Sequence, residues 1–354
     1  MTHPSYGRKI LAPLLKGVIE NLETAPTSIF VLVDRRAKIA LEPIKKSLGA
    51  IGLPTHVRQW WPSEQRKSFG ETEALMQWMI RTGVDRGSLL IAAGGGITTD
   101  IGGFAASSIL RGIKWGAIPT TLLGMADAAI GGKTAVNLPE GKNLAGAFHA
   151  PEFIICDISL LKSLAAREWN CGLGEIIKTG MVGHGELLSF LEETSASKIR
   201  RPGDAALRMA MEAGEVKLRI VEADPLERGI RKLLNLGHTF GHALETAAGP
   251  KNLAHGEAVG LGLLCALRMS EELSISEPGY RRRIHALMRR CCLPVNYPGA
   301  LPPRGELTEL LKRDKKSNAG KLDVILPRVP GECLVVHGVE PPVAAAVIHR
   351  ELGD

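Results

Sequence analysis

The chain has 354 residues, 45% of them hydrophobic and 23% charged, the balance of a soluble globular protein long enough for two domains. Its formal charge of +7 is compatible with a polyanion or a small anionic ligand, but aromatic residues make up only 4%, too few to favour stacking on nucleic-acid bases. No charged-then-apolar signal pattern opens the chain, and its longest apolar run, Ala258 to Leu267, is too short for a bilayer, so a cytoplasmic protein without membrane or nucleic-acid partners is expected.

Before Ser28 no opening strand is evident. Ser28 to Asp34 is a β-branched apolar run ending in an acid, the pattern of a buried parallel strand. Ile39, Ile44 and Leu48 recur at helix spacing, and Gly49 and Gly52 close that helix. A strand at Thr55 to Trp60, a helix at Ser68 to Arg81 and a strand at Ser88 to Ala93 follow. This alternation predicts an α/β nucleotide-binding domain over residues 1–157, with a mostly parallel, Rossmann-like sheet.

The strand ending at Ala93 runs into Gly94-Gly95-Gly96. Glycines there let backbone approach a ligand, and the helix start behind them offers N–H groups to a pyrophosphate; a plain turn without ligand is the alternative. A strand from Lys114 to Ile118 ends at Pro119-Thr120-Thr121, placing two hydroxyls at the same sheet edge. Gly131-Gly132-Lys133 and Gly141-Lys142-Asn143 then present lysines in Gly-rich loops, ready phosphate contacts. The first lacks the upstream glycine and the preceding strand of a P-loop, which excludes that kind of NTPase.

After Asp157 helical patterns dominate, at 160–169, 173–182, 186–191, 205–223, 234–247 and 255–273, with a short hairpin near 322–326 and 333–336. Residues 158–354 are therefore expected to form a mainly α-helical domain. Arg281-Arg282-Arg283 with Arg289-Arg290 read as a solvated helix face. The six cysteines have no metal or disulfide spacing, and several read as small core residues. His238 and His242 stand one helical turn apart, and His255 follows across a loop. Spacing alone makes them a divalent-metal set with one open position; two satisfied helix histidines and an unrelated loop histidine are the alternative.

Taken together, Gly94-Gly95-Gly96-x-x-x-Asp100, Arg111-Gly112, Pro119-Thr120-Thr121, Asp127-x-x-Ile130-Gly131-Gly132-Lys133, Gly141-Lys142-Asn143, Glu175-x-x-Lys178, Lys217, Glu227, Arg231, Asn235-x-Gly237-His238-x-x-Gly241-His242, His255-Gly256-Glu257 and Arg313-Asp314-Lys315-Lys316 resemble the 3-dehydroquinate synthases over nearly the whole chain. That family converts 3-deoxy-D-arabino-heptulosonate 7-phosphate (DAHP) to 3-dehydroquinate and phosphate in the shikimate pathway. It does so by transient oxidation with NAD, β-elimination of phosphate, re-reduction and aldol closure, with a divalent metal, Zn2+ or Co2+. The resemblance gives the metal to Glu175, His238 and His255, and moves His242 to the substrate phosphate with Lys133, Asn143 and Asn235. It implies that Arg231 and one or both of Lys315 and Lys316 hold the carboxylate, that Lys178, Lys217, Asp127 and Glu227 belong to the catalytic set, and that Arg111 reaches the neighbouring subunit's site in a homodimer. For NAD it implies Asp34, Glu64, Lys67, Gly94, Gly95, Gly96, Asp100, Thr120, Thr121, Asp127, Lys133, Lys142, Asn143 and Ser163. Thr99, Ala129, Ala150 and Gly174 depart from the family pattern, which has glycine, serine, glutamine and alanine there.

Two enzyme classes compete. Another sugar phosphate cyclase, acting on sedoheptulose 7-phosphate or glucose 6-phosphate, replaces several carboxylate- and phosphate-side residues that are present here. A metal-dependent polyol or glycerol phosphate dehydrogenase would release NADH stoichiometrically and would not need so many lysines facing its substrate. A catalytically dead relative acting as a binding protein is disfavoured by the intact ligand set.

Overall fold

The computed structural model describes residues 2–249, 251–312, 317–318 and 320–353. Lys315 and Lys316, with Arg313 and Asp314, lie outside the described residues. The chain divides into two compact units, residues 1–165 with 201–214, and residues 166–200 with 215–354.

The first unit holds β1 (Pro4–Gly7), α1 (Leu11–Glu20), β2 (Ile29–Asp34), α2 (Lys38–Gly49), β3 (Thr55–Trp60), α3 (Phe69–Arg81), β4 (Leu89–Gly94), α4 (Gly96–Ser108), β5 (Lys114–Pro119), β6 (Lys133–Leu138), β7 (Gly141–Phe148) and β8 (Phe153–Asp157). Six strands form one sheet in the order β1-β8-β5-β4-β2-β3, and every pairing in it is parallel. Every residue of β2 and β4 is buried, which is why both read as unbroken apolar runs rather than alternating ones. The chain leaves β2 toward β3 on one side and leaves β4 toward β5 on the other. The neighbouring ends at Asp34 and Gly94 therefore flank the topological switch point, where such sheets open a crevice for ligands.

Two features of this unit were not legible in the sequence. β1 does exist, pairing Pro4–Gly7 with β8 at the sheet edge. The Gly-rich "loops" around Lys133 and Lys142 are an antiparallel hairpin, β6 with β7, in which Lys133 pairs with Phe148.

The second unit is mainly helical: α5 (Ala166–Gly183), α6 (Gly185–Glu193), α7 (Ala196–Ile199), most of the C-terminal part of α8 (Asp204–Ala223), α9 (His238–Ala248), α10 (His255–Glu272), α11 (Tyr280–Arg290), α12 (Arg304–Lys312) and α13 (Pro341–Leu352). A small sheet of β9 (Ser317–Asn318), β10 (Lys321–Val329) and β11 (Glu332–Val339) completes it. α10 is the core helix: Leu261, Leu263, Leu264, Cys265, Ala266 and Leu267 are all buried, so it is apolar on every face. Among the described residues no helix is long and apolar enough to cross a membrane.

Candidate active site

In the first unit the sheet crevice collects most of the residues assigned to a dinucleotide. Gly95 precedes α4 without any side-chain cap, so the helix start presents main-chain N–H groups toward whatever lies above it. A Cβ on Gly94 would lie 2.5 Å from Thr98 Oγ1, and one on Gly95 would lie 3.1 Å from the Thr121 side chain. Packing against Thr98 thus favours glycine at position 94, and the contact with Thr121 leaves little room at position 95. Asp34, nearly buried at the end of β2, accepts from Arg36 N at 2.8 Å. Asp127 sits in a π-helical turn, Gly124–Ala128, closed by Ala129 N donating to Gly124 O at 3.1 Å. Turns of this rare kind concentrate at functional sites.

Lys67 is buried and meets both Asp100 and Asn143 with its ammonium, while Lys142 Nζ lies 3.8 Å from Glu64. Asn137, which sequence reading passed over, joins these segments. Its amide Nδ2 donates to Glu64 O at 3.1 Å, its Oδ1 accepts from Asn143 N at 2.9 Å, and its main-chain N donates to Lys67 O at 2.7 Å. Nothing in an isolated asparagine signals that role. Lys133 is exposed at the start of β6, Arg111 is exposed before β5, Thr120 is buried just past β5, and Ser163 is exposed at the end of a 3₁₀ turn that follows β8.

In the second unit, Glu175 and Lys178 face each other one turn apart on α5, both almost fully buried and in contact as an ion pair. His238 and His255 are the first residues of α9 and α10, and the Nε2 of each lies 3.5 Å from Glu175 Oε1. The three helices approach closely because their contacts are glycine on backbone. A Cβ on Gly262 would lie 2.0 Å from Gly237 O, one on Gly256 2.2 Å from Cys171 O, and one on Gly174 2.2 Å from Gly256 O. Gly174, a departure from the family pattern, is thereby matched to its neighbour.

The donor atoms of Glu175, His238 and His255 lie within 4.8 Å of one another. His242 is outside that group, although its ring centroid is 5.3 Å from that of His238. The set suits a divalent ion: one carboxylate and two imidazoles whose Nδ1 atoms face other acceptors, Leu236 O at 3.2 Å and Glu245 Oε2 at 3.1 Å, leaving Nε2 for a metal. Burial opposes the charge on Glu175, yet the Lys178 ammonium and His255 hold its carboxyl well below the ordinary carboxylate range. Burial likewise opposes a charged His255, but hydrogen bonds to Glu175 and Glu245 outweigh it and push the imidazole up to about 10. Proton and metal ion compete for the same electron pairs.

Arg231 is buried, its Nη1 donating to Pro225 O at 2.6 Å, and Asn235 Nδ2 donates to Glu227 Oε1 at 2.7 Å. Asp224 steadies this turn by accepting from the main-chain N–H groups of Arg228, Gly229 and Arg231, which hold its carboxyl below the ordinary value. Lys217 is half-buried on α8.

Residues 59–171 match the family model of the 3-dehydroquinate synthase N-terminal domain, and residues 172–317 match that of the C-terminal domain. The chain is 36% identical over 343 residues to a 3-dehydroquinate synthase of Symbiobacterium thermophilum, covering 96% of this chain and 95% of that one. It is 37% identical over 339 residues to one of Pelobacter propionicus, covering 95% and 90%. Among solved structures, it is similar to a 2-epi-5-epi-valiolone synthase of Streptomyces hygroscopicus subsp. jinggangensis with NAD+ and Zn2+ bound, at 29% identity and a TM-score of 0.86, covering 99% of this chain and 96% of that one. With both domain models matched in order and relatives aligned over nearly its full length, the chain belongs to the 3-dehydroquinate synthase family.

Proposed function

We propose that this chain catalyses the reaction of its family, conversion of DAHP to 3-dehydroquinate and phosphate, with NAD and a divalent metal, zinc or cobalt, as cofactors. The observation that carries the reading is the buried Glu175–Lys178 pair facing the His238 and His255 imidazoles. Glu175, His238 and His255 would hold the metal; Asp34, Glu64, Lys67, Asp100, Thr120 and the α4 N-terminus would hold the dinucleotide. When bound, the metal supplies Lewis acidity toward substrate hydroxyl oxygens, and NAD supplies a reversible hydride acceptor.

The chain's own groups bind and orient an anionic substrate. The family resemblance assigns Lys133, Asn143, Asn235 and His242 to the phosphate, where hydrogen-bond donors would stabilise the charge that grows on the leaving group. Arg231, with one or both of Lys315 and Lys316, is assigned to the carboxylate, which suits the planar fork of a guanidinium. Arg231 is held by the Pro225 carbonyl and Asn235 by Glu227, so neither need be ordered when substrate arrives. Lys178, buried in contact with Glu175, completes the cationic lining.

A cytoplasmic homodimer in which Arg111 serves the neighbouring site completes the proposal. What supports the dimer is the exposure of Phe69 and Phe148 in the same unit as Arg111, whose backbone is left-handed together with that of Leu110 (φ 70° and 51°). The test is phosphate release from DAHP by purified protein with zinc and a catalytic amount of NAD. Release from sedoheptulose 7-phosphate but not from DAHP would replace this reading with that of another sugar phosphate cyclase. Stoichiometric NADH would replace it with that of a dehydrogenase.

A further inference from the structure

α9 presents His238, His242 and Glu245 along one face, at positions i, i+4 and i+7. The third contacts the His255 ring but is given no role in the proposed reaction. Glu245 is 6% exposed and follows buried Ala243 and Leu244, a costly place for a carboxylate unless its charge is used. Its Oε2 lies 3.1 Å from His255 Nδ1, while Nε2 of the same ring lies 3.5 Å from Glu175 Oε1. One imidazole therefore spans two carboxylates, one on each side. His238 differs: its Nδ1 faces the neutral main-chain oxygen of Leu236.

We infer that Glu245 is a positioning residue for His255. By accepting from Nδ1–H it selects the tautomer whose lone pair is on Nε2. It also blocks the flipped ring, which would turn a C–H toward the carboxylate. Its charge makes His255 a stronger donor than His238, whose partner is neutral. α9 thus contributes twice to the cluster, directly through His238 and indirectly through the alignment of a residue on α10. This inference rests on the reading of Glu175, His238 and His255 as a divalent-cation site.

The test uses the metal-free full-length chain, with zinc affinity measured by competition against a chromophoric chelator and visible spectra recorded with Co2+. Glu245→Ala is expected to bind zinc about 10- to 100-fold more weakly and to shift the Co2+ bands. Glu245→Gln, nearly isosteric and still able to accept from Nδ1–H, should lose less, which separates orientation from charge and guards against a folding defect. Parental zinc affinity and Co2+ spectrum in both variants would overturn the inference, even if the melting temperature fell. His238→Ala is the reference: if it too kept parental zinc affinity, the metal-site reading itself would fail. Loss in His238→Ala alone would remove only the role of Glu245.

Discussion

Replacing Gly256 with alanine puts a methyl group where no atom fits. An ideal Cβ there would lie 2.2 Å from Cys171 O, 2.3 Å from its Cα and 2.6 Å from its carbonyl carbon, whereas ordinary contact begins at 3.4 Å. All three atoms are backbone of α5, so no side-chain rotation relieves the overlap, and the first turn of α10 must retreat by roughly 1 Å. His255 begins that turn and now stands 3.5 Å from Glu175. Metal–ligand distances tolerate only about ±0.2 Å, so a shift of that size removes one ligand from a three-residue set. Overpacking of this kind costs about 1–3 kcal/mol, and backbone against backbone belongs at the upper end. The expected result for Gly256→Ala is a melting temperature lower by roughly 4 °C in the metal-free chain, together with a large loss of zinc affinity by chelator competition. Gly305→Ala in α12, where the added carbon meets nothing within 4 Å, is the control and should be neutral or slightly stabilising. Unchanged melting and unchanged zinc affinity in Gly256→Ala would refute the claim that glycine-on-backbone contact sets the geometry of the cluster.

Other substitutions separate the remaining roles. His238→Ala should lose bound metal, whereas His242→Ala should keep it, by elemental analysis of the purified protein, and lose turnover about 10²-fold or more; metal loss in both would restore the reading from histidine spacing. Asn137→Ala removes the side-chain link between the Glu64–Lys67 segment and the β6–β7 hairpin, about 1–3 kcal/mol of hydrogen bonding, and should weaken NAD binding about tenfold by calorimetry. Glu272 accepts two bonds of 2.7 Å from Arg350 and one of 2.9 Å from Arg268, which lower its carboxyl pKa. A depressed pKa contributes stability that is complete above the unfolded carboxyl's value and lost as pH falls through the folded one. Glu272→Gln should therefore melt lower than the parent near neutrality, by less than about 1 kcal/mol for so exposed a pair, and the gap should close in acid. A gap independent of pH would rule out the ionic origin.

The sheet unit was largely legible because its central strands are buried on both faces: β2 and β4 declare themselves as short apolar runs, and the partly buried β3 is read from its place between two helix patterns. β1 was missed because Pro4–Gly7 is only partly buried and carries no apolar run. The hairpin was missed because its glycines resemble loop punctuation; at Gly146 the reason is packing, since a Cβ would meet Thr134 O at 2.1 Å. α12 and α13 also went unread, the latter opening on two prolines that fit a helix start as well as a loop.

What the sequence by itself determined was the alternating α/β half, the helical half and the residue types of the chemistry, because periodicity and motif order are local properties of a chain. Local spacing did not decide which of those residues meet: the family resemblance named the set, and only the tertiary structure accounts for how it is brought together. Helical spacing pairs His238 with His242, yet the atoms that converge are those of Glu175, His238 and His255, on three different helices. Their meeting depends on how closely α5, α9 and α10 approach. That distance is set by glycines touching the backbone of another helix, a relation between residues far apart in sequence that no local pattern encodes. The same contacts bring Glu245 to the far side of the His255 ring.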